Sequence, residues 1–144
     1  MERQPIVKLA ELSSRSRARL NELAQREGIS LPRFQRLVLS IVQRFPDQHQ
    51  QVILHRDGWD KGQVARAFRE LEQQGLIRRC GSSTTKRITQ VALTPEGEAL
   101  AERLAAIRTE LAATLLAGWT PEEVARFDDL LDRALDNMTE PSTV

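Results

Sequence analysis

The segment from Trp59 to Gly97 constrains the fold more than any other part of this 144-residue chain. It reads WDKGQVARAFRELEQQGLIRRCGSSTTKRITQVALTPEG. Asp60 and Gln63 have the spacing of a capping box that begins a helix, and Gly75 is a typical helix end. Three apolar positions spaced four and three residues apart predict the buried face of this helix: Val64, Phe68 and Leu71.

Two short apolar runs follow that helix and predict a hairpin. Leu76 to Cys80 has the pattern of one strand, and a second strand ends at Leu93. Between them lies a polar loop, Gly81 to Gln90, which has no acidic residue and holds Lys86 and Arg87 at adjacent positions. Because a two-stranded hairpin is marginally stable alone, we expect it to pack on the preceding helices.

The sequence before this segment predicts two helices and a shorter third. Residues 6–28 have helical apolar spacing and end at Gly28. Ser30 is the expected N-cap of the next helix, which stops before Pro46. The expected core positions of that second helix are Phe34, Leu37, Val38, Ile41 and Val42. A short helix is predicted at residues 50–55.

The sequence after the hairpin predicts two further helices. Thr94 and Pro95 open the first, which ends at Gly118, and its apolar residues recur every three or four positions: Leu100, Leu104, Ile107, Leu111 and Leu115. Thr120 and Glu123 form a capping box that begins the last helix. Its apolar positions are Phe127, Leu130, Leu131 and Leu135.

This order of elements predicts a mainly α protein with a two-stranded β-hairpin, that is, a winged helix-turn-helix with N- and C-terminal dimerisation helices. The 144 residues suit a single domain. We expect a winged helix lobe at 30–94, a dimerisation lobe built from 1–29 and 95–138, and a frayed tail at 139–144. The long continuous apolar stripe of the helix after the hairpin favours a dimer over the alternative, a monomeric helical bundle.

Charge is unevenly distributed along the chain. Residues 61–90 hold seven Lys and Arg but two Asp and Glu, whereas residues 95–140 hold four and eleven. A basic middle suggests contact with a polyanion, although a solvated basic face would have the same composition.

The helix from Asp60 and the basic loop together suit double-stranded DNA. With its apolar stripe facing inward, the helix would expose Lys61, Gly62, Gln63, Arg66 and Arg69. Glutamine can form two hydrogen bonds with adenine and arginine two with guanine in the major groove. The loop would contact the flanking backbone or minor groove through Thr84, Thr85, Lys86 and Arg87.

The same segment resembles the core of the MarR family, the multiple-antibiotic-resistance type of winged helix-turn-helix regulator. The matching positions are Asp60, Lys61, Val64, Arg66, Leu71, Glu72, Gly75, Leu76, Leu93, Thr94 and Gly97. Helix order and length agree across nearly the whole chain. In two places the sequence differs: the family's wing usually carries Asp-x-Arg where this chain has Thr85-Lys86-Arg87, and QHQQVILHRDG before the recognition helix is unusual.

The resemblance implies a homodimeric DNA-binding repressor or activator. Its dimer interface would be built from the first helix and the last two helices. Because the two-fold symmetry of a dimer must be mirrored in its site, we expect a pseudo-palindromic DNA site. Many members release DNA when they bind small aromatic or phenolic compounds, so a small-molecule effector is expected. The alternative from a different class is a winged helix module that binds an acidic protein, which would expose aromatic side chains on the recognition face.

Other classes of function find little support in the sequence. His49 and His55 lie six residues apart without a ligand cluster, so we expect no metal. The sequence has no Gly-rich phosphate loop and no nucleophile elbow, so we expect no cofactor and no catalytic residues. Asp128, Asp129 and Asp132 are interpreted as a solvated face. The single cysteine, Cys80, excludes an internal disulfide and is interpreted as structural. An N-terminus without an apolar signal core predicts a cytoplasmic protein.

Overall fold

The computed structural model describes residues 4–46, 58–81 and 89–139. These ranges contain five helices and one two-stranded antiparallel sheet: α1 Gln4–Arg26, α2 Arg33–Arg44, α3 Lys61–Gln73, β1 Ile77–Gly81, β2 Thr89–Leu93, α4 Pro95–Leu115 and α5 Pro121–Met138. The mainly α fold with a β-hairpin is as predicted. The short helix predicted at residues 50–55 and the tail at 140–144 lie outside the described residues. No helix within the described ranges has the length and apolar character needed to cross a membrane.

The chain divides into two compact units, Met1–Thr109 and Glu110–Val144. In the first unit α2 packs against α3 and β2, and α3 packs against β1. The largest side chains at the centre of its core are fully buried: Leu23, Val38, Leu39, Val42, Val64, Phe68, Leu71 and Val91. The core stripe predicted for α3 is therefore confirmed. On α2 the predicted core positions Val38, Ile41 and Val42 are buried and Leu39 joins them, whereas Phe34 and Leu37 are only half-buried.

The two ends of α3 follow from local backbone chemistry. Asp60 caps the helix by accepting a hydrogen bond from the Gly62 N–H at 3.0 Å. The predicted cap residue is thus correct, but the cap bond is made to Gly62 and not to Gln63. At the other end Gly75 has a φ of +74°, and the N–H of Leu76 bonds the carbonyl of Leu71 at 2.9 Å. This is the Schellman arrangement, which favours glycine because of its left-handed backbone.

The start of α2 differs from the prediction. Ser30 is exposed and does not cap the helix; the N-cap is Pro32, whose carbonyl accepts the bond from the Arg36 N–H at 3.0 Å. A proline disfavours helical backbone at the residue before it, so Leu31 cannot join the helix. Leu31 is instead buried in the core. The helix therefore begins three residues after the predicted cap.

The hairpin pairs Ile77 with Leu93 at its base and Gly81 with Thr89 at the last described pair. Ile77 and Val91 are buried in the core, which fixes the face that the sheet presents to the helices. The predicted loop of residues 81–90 was too long at both ends. Gly81, Thr89 and Gln90 belong to the strands, because cross-strand pairing continues past the last apolar residue of each run.

The capping box and the helix-ending glycine predicted in the second unit are confirmed. Thr120 and Glu123 exchange both bonds of a capping box, at 3.2 and 3.0 Å, and Gly118 has a φ of +83°. The rings of Trp119 and Phe127 meet edge to face with centroids 5.2 Å apart. No residue of α5 is buried.

Candidate nucleic-acid interface

Helix α3 divides into a buried side and a polar side. Val64, Ala67, Phe68 and Leu71 are buried. All five residues of the helix that were predicted to contact DNA are exposed: Lys61, Gly62, Gln63, Arg66 and Arg69. Three of them are cations and one is an amide, so this exposed surface, called here the α3 face, carries positive charge and hydrogen-bond donors.

The α3 face contains no aromatic side chain. Phe68, the one aromatic residue of α3, has 0% of its surface exposed. Gly62 has open space on its exposed side, with Asp60 Oδ1 at 3.5 Å as the nearest group to a hypothetical β-carbon. A glycine at the start of the helix therefore allows a partner to approach the backbone closely.

A polar network fixes the orientation of α3 against α2. Gln35 is a buried polar residue of α2, and its side-chain amide donates to the Glu70 carboxylate. Gln74 donates to the Gln35 oxygen and to the Glu70 carbonyl, each at 3.1 Å. Buried polar groups that are fully bonded specify one arrangement of the elements that carry them. The periodic pattern did not identify Gln35, because a polar residue at a core position gives no apolar signal.

The N-terminal end of α3 is held by an aromatic contact. Trp59, directly before the cap, meets the Phe34 ring of α2 edge to face with centroids 5.2 Å apart. Both rings pack against the core of the first unit. Edge-to-face pairs of this kind contribute about 0.5–1.5 kcal/mol beyond the area they bury.

The C-terminal end of α3 is joined to the start of α4. The Thr94 N–H donates to the Leu76 carbonyl at 3.1 Å, and the Thr94 hydroxyl donates to the Gly75 carbonyl at 2.5 Å. The same hydroxyl oxygen accepts from the Gly97 N–H at 3.1 Å. Thr94 thus caps α4 as predicted and also binds the turn that ends α3.

An ion pair connects α3 to the first strand of the hairpin. Arg79 Nε lies 3.2 Å from Glu72 Oε2, and both side chains are partly exposed. Surface pairs of this kind contribute about 0–1 kcal/mol, so the pair orients the strand more than it stabilises the fold. Arg78, the preceding residue of β1, is exposed. The predicted loop contacts Thr84, Thr85, Lys86 and Arg87 lie outside the described residues and remain predictions.

The first unit also contains an arginine-rich cavity of about 250 Å³ between α1, α2 and α4. Its lining is Ser13, Ser16, Arg17, Leu20, Asn21, Arg33, Arg36, Leu37, Ser40, Leu104, Ile107 and Arg108. Burial lowers the pKa of Arg36, with nearby Arg33 acting in the same direction. Burial also lowers the pKa of Arg108, with Arg44 contributing. No spacing in the sequence indicates this cavity, because its arginines lie on three separate helices.

Clusters of metal-ligating side chains are absent from the described part of the chain. There, no three His, Cys, Asp or Glu residues lie close enough together to hold a metal ion. His49 and His55 lie outside the described residues.

Comparison with known proteins places this geometry among transcriptional regulators. No protein-family model matches the chain. The crystal structure of the transcriptional regulator SlyA is 27% identical and has a TM-score of 0.77, with 90% of this chain and 92% of that one covered. A second transcriptional regulator is 28% identical, with a TM-score of 0.76 and coverage of 92% and 96%.

A MarR family regulator from Listeria monocytogenes, solved in complex with a 26mer DNA, has a TM-score of 0.79 at 21% identity. The alignment covers 90% of this chain and 87% of that one, and at this identity it supports the fold alone. The resemblance noted in the sequence therefore extends to the fold. The chain has the winged helix fold of MarR-like transcriptional regulators.

Proposed function

We propose that this protein is a dimeric, sequence-specific DNA-binding transcriptional regulator that reads its site with the α3 face. The observation that carries the proposal is the division of α3 into a fully buried apolar stripe and an exposed surface of cations and amide. An α-helix of this kind fits the major groove, where base edges present distinct hydrogen-bonding patterns. DNA-bound neighbours with the same fold support the proposal.

The residues of the α3 face divide into base contacts and backbone contacts in this proposal. Gln63 bonds the edge of an adenine and Arg66 that of a guanine. Lys61 and Arg69 contact phosphates, and Gly62 allows the helix N-terminus to approach the DNA backbone. The loop residues Thr84, Thr85, Lys86 and Arg87 contact the flanking DNA.

The alternative function, a winged helix module that binds an acidic protein, is less well supported. Protein-binding surfaces are enriched in aromatic residues at their centre. The α3 face has none, and its three cations and one amide suit a groove lined by phosphates and base edges.

Exposed apolar side chains support dimerisation. At the start of α1, Ile6, Val7 and Leu9 are more than half exposed. On α5, Leu135 and Met138 are 66% and 80% exposed, with Leu130 and Leu131 also exposed. Apolar groups repeated along a helix without a buried partner mark a surface for association. We therefore propose that a second copy of the chain covers both stretches.

A small-molecule effector completes the proposed function. The arginine-rich cavity adjoins α2, the same helix whose Gln35 binds Glu70 of α3. An occupant that moved α2 would therefore move α3. Such an occupant can weaken DNA binding only if its affinity for the DNA-free state is higher.

The test combines a binding titration with selection of the preferred site. Affinity for mixed genomic DNA should fall as salt rises, with a log–log slope of about −0.9 per phosphate contacted. Selection from random duplexes should return a pseudo-palindrome whose half-sites lie about 10 base pairs apart. A salt-independent interaction, or a preferred site without two-fold symmetry, would refute the proposal.

A further inference from the structure

We propose that the arginine-rich cavity binds a small organic dianion with an apolar body, and that its ligand is a phosphate monoester. The inference rests on the proposed function only for its consequence, the control of DNA binding. The binding site itself follows from the lining of the cavity.

The charge of the lining points to more than one negative charge on the ligand. Arg17, Arg33, Arg36 and Arg108 come from three helices and meet around one cavity. Among the described residues that line it there is no Asp or Glu, and none of the four arginines forms an ion pair within the described part of the chain. Arginine binds phosphate through two parallel N–H donors, which makes it the preferred side chain for such a ligand.

The two inner arginines are held in place before any ligand arrives. Arg108 Nη1 donates to the Ser40 hydroxyl at 2.8 Å, and that hydroxyl donates to the Arg36 carbonyl at 2.9 Å. Arg36 itself donates to the Asn21 side-chain oxygen. A binding group that is already ordered loses less entropy when the ligand binds.

Arg36 retains an unused donor. Its Nε is buried and has no hydrogen-bond partner within the described residues. A buried donor without a partner is unfavourable, more so in a charged group, and an anion would supply the missing acceptor. Burial and neighbouring cations lower the pKa of Arg36 and of Arg108, so an anion would also offset unfavourable charge at both.

The rest of the lining defines the body of the ligand. Leu20, Leu37, Leu104 and Ile107 supply apolar surface beside the arginines. A cavity of about 250 Å³ is below the usual range for drug-sized ligands, so the body is small, such as one ring or a short chain. A bulky nucleotide is therefore not expected.

The cavity communicates with the α3 face through α2. Arg36 lines the cavity and is the neighbour in sequence of Gln35, the residue that bonds Glu70 and Gln74 of α3. A shift of α2 on ligand binding would change the α2–α3 network and hence the orientation of the α3 face.

The experiment is calorimetric titration of the full chain without DNA, using four probes: phenyl phosphate, inorganic phosphate, benzoate and phenol. Phenyl phosphate should bind at least about tenfold more tightly than benzoate, because its dianion offers the arginines a second negative charge and a further acceptor oxygen. Its affinity should fall from pH 8 to pH 5, since the second pKa of a phosphate monoester is about 6 and the arginines stay charged. Equal binding of phenyl phosphate and benzoate, or no binding of either, would overturn the proposal.

Variants locate the site. Arg17→Gln and Arg33→Gln alter exposed side chains, so they should fold normally and each weaken phenyl phosphate binding several-fold. Arg108→Gln should weaken it more, provided its circular dichroism matches the parent. Arg19→Ala is the control: it removes an α1 cation that pairs with Glu22 at 3.1 Å and does not line the cavity. If Arg19→Ala weakened binding as much as Arg33→Gln, or if Arg66→Ala abolished it, the anion would be bound elsewhere and the proposal would fail.

A parallel DNA titration separates this inference from the proposed function. Phenyl phosphate should lower operator affinity of the parent and not that of Arg108→Gln. If phenyl phosphate binds the cavity but the protein binds no DNA, the proposed function fails while the ligand site stands. If DNA binds and phenyl phosphate does not, the ligand site fails while the proposed function stands.

Discussion

A β-carbon placed on Gly97 would lie 1.9 Å from the carbonyl oxygen of Leu76. Gly97 is in the first turn of α4, and Leu76 is the residue just after the turn that ends α3. The helix backbone therefore rests directly on the chain that leads from α3 into the hairpin. This contact, with the bonds of Thr94, fixes the position of α3 and the hairpin relative to α4.

Gly97→Ala should destabilise the protein strongly. The neighbouring atom is backbone, so it cannot rotate away, and overpacking of this kind costs about 1–3 kcal/mol or more. The measurement is urea unfolding followed by circular dichroism. Gly62→Ala is the matched control, because a β-carbon there meets nothing closer than 3.5 Å. The control should be neutral or stabilised by about 0.4–1 kcal/mol. An equal loss of unfolding free energy in both variants would show that the close contact of Gly97 with Leu76 is not what makes Gly97→Ala destabilising.

Gln35→Ala should weaken DNA binding as well as folding. It leaves the Glu70 carboxylate without its bond from α2, which costs about 1–3 kcal/mol. Because the network orients α3, operator affinity should fall in protein that is still folded. Gln73→Ala is the control, because Gln73 is an exposed residue at the end of α3. A double-mutant cycle with Glu70→Ala should show coupling, and strictly additive effects would mean that the network does not act as a unit.

Local signals predicted much of the fold. Asp60 and Gly75 mark the ends of α3 because capping and left-handed glycine depend on a few adjacent residues. The apolar positions of α3 were predicted correctly because residues on the buried face of a helix recur every three or four positions. Ser30 failed as a cap because Pro32, two residues on, restricts the backbone before it. In that case a second local rule outweighed the first.

The sequence indicated the exposed residues of α3, but not the bonds between helices that surround the candidate site. The five exposed α3 residues could be predicted from the period of one helix, because the positions outside its buried stripe face solvent. The bond of Gln35 to Glu70 joins residues 35 positions apart, and that of Arg108 to Ser40 joins residues 68 apart. Pairings of this range depend on how the helices pack, and no spacing within a single sequence indicates them.

Changes on the α3 face and in the loop should have different effects on DNA binding. Arg66→Ala should relax base preference at one position in each half-site, at about 1–3 kcal/mol. Lys86→Ala should lower affinity evenly across sequences and reduce the salt slope by about one. Arg87→Ala should weaken binding most at sites flanked by A·T pairs, where the minor groove is narrow. Selected-site sequencing and salt titration measure these effects, and identical behaviour of the three variants would disprove the division of roles.

Leu135→Glu should convert the proposed dimer to monomers. Leu135 is 66% exposed within one chain and lies on the same side of α5 as Leu131 and Met138, which are also exposed. In a dimer interface the new carboxylate would be buried without a partner, which is costly enough to dissociate the assembly. Asn137→Glu is the matched control, since it adds the same charge two residues further along, on the opposite side of the helix. Sedimentation at micromolar concentration should give a dimer for the parent and for Asn137→Glu, and a monomer for Leu135→Glu. The monomer should also lose most of its affinity for a palindromic site while its circular dichroism stays unchanged. A parent that is monomeric, or a Leu135→Glu variant that remains dimeric, would show that this face of α5 is not the interface.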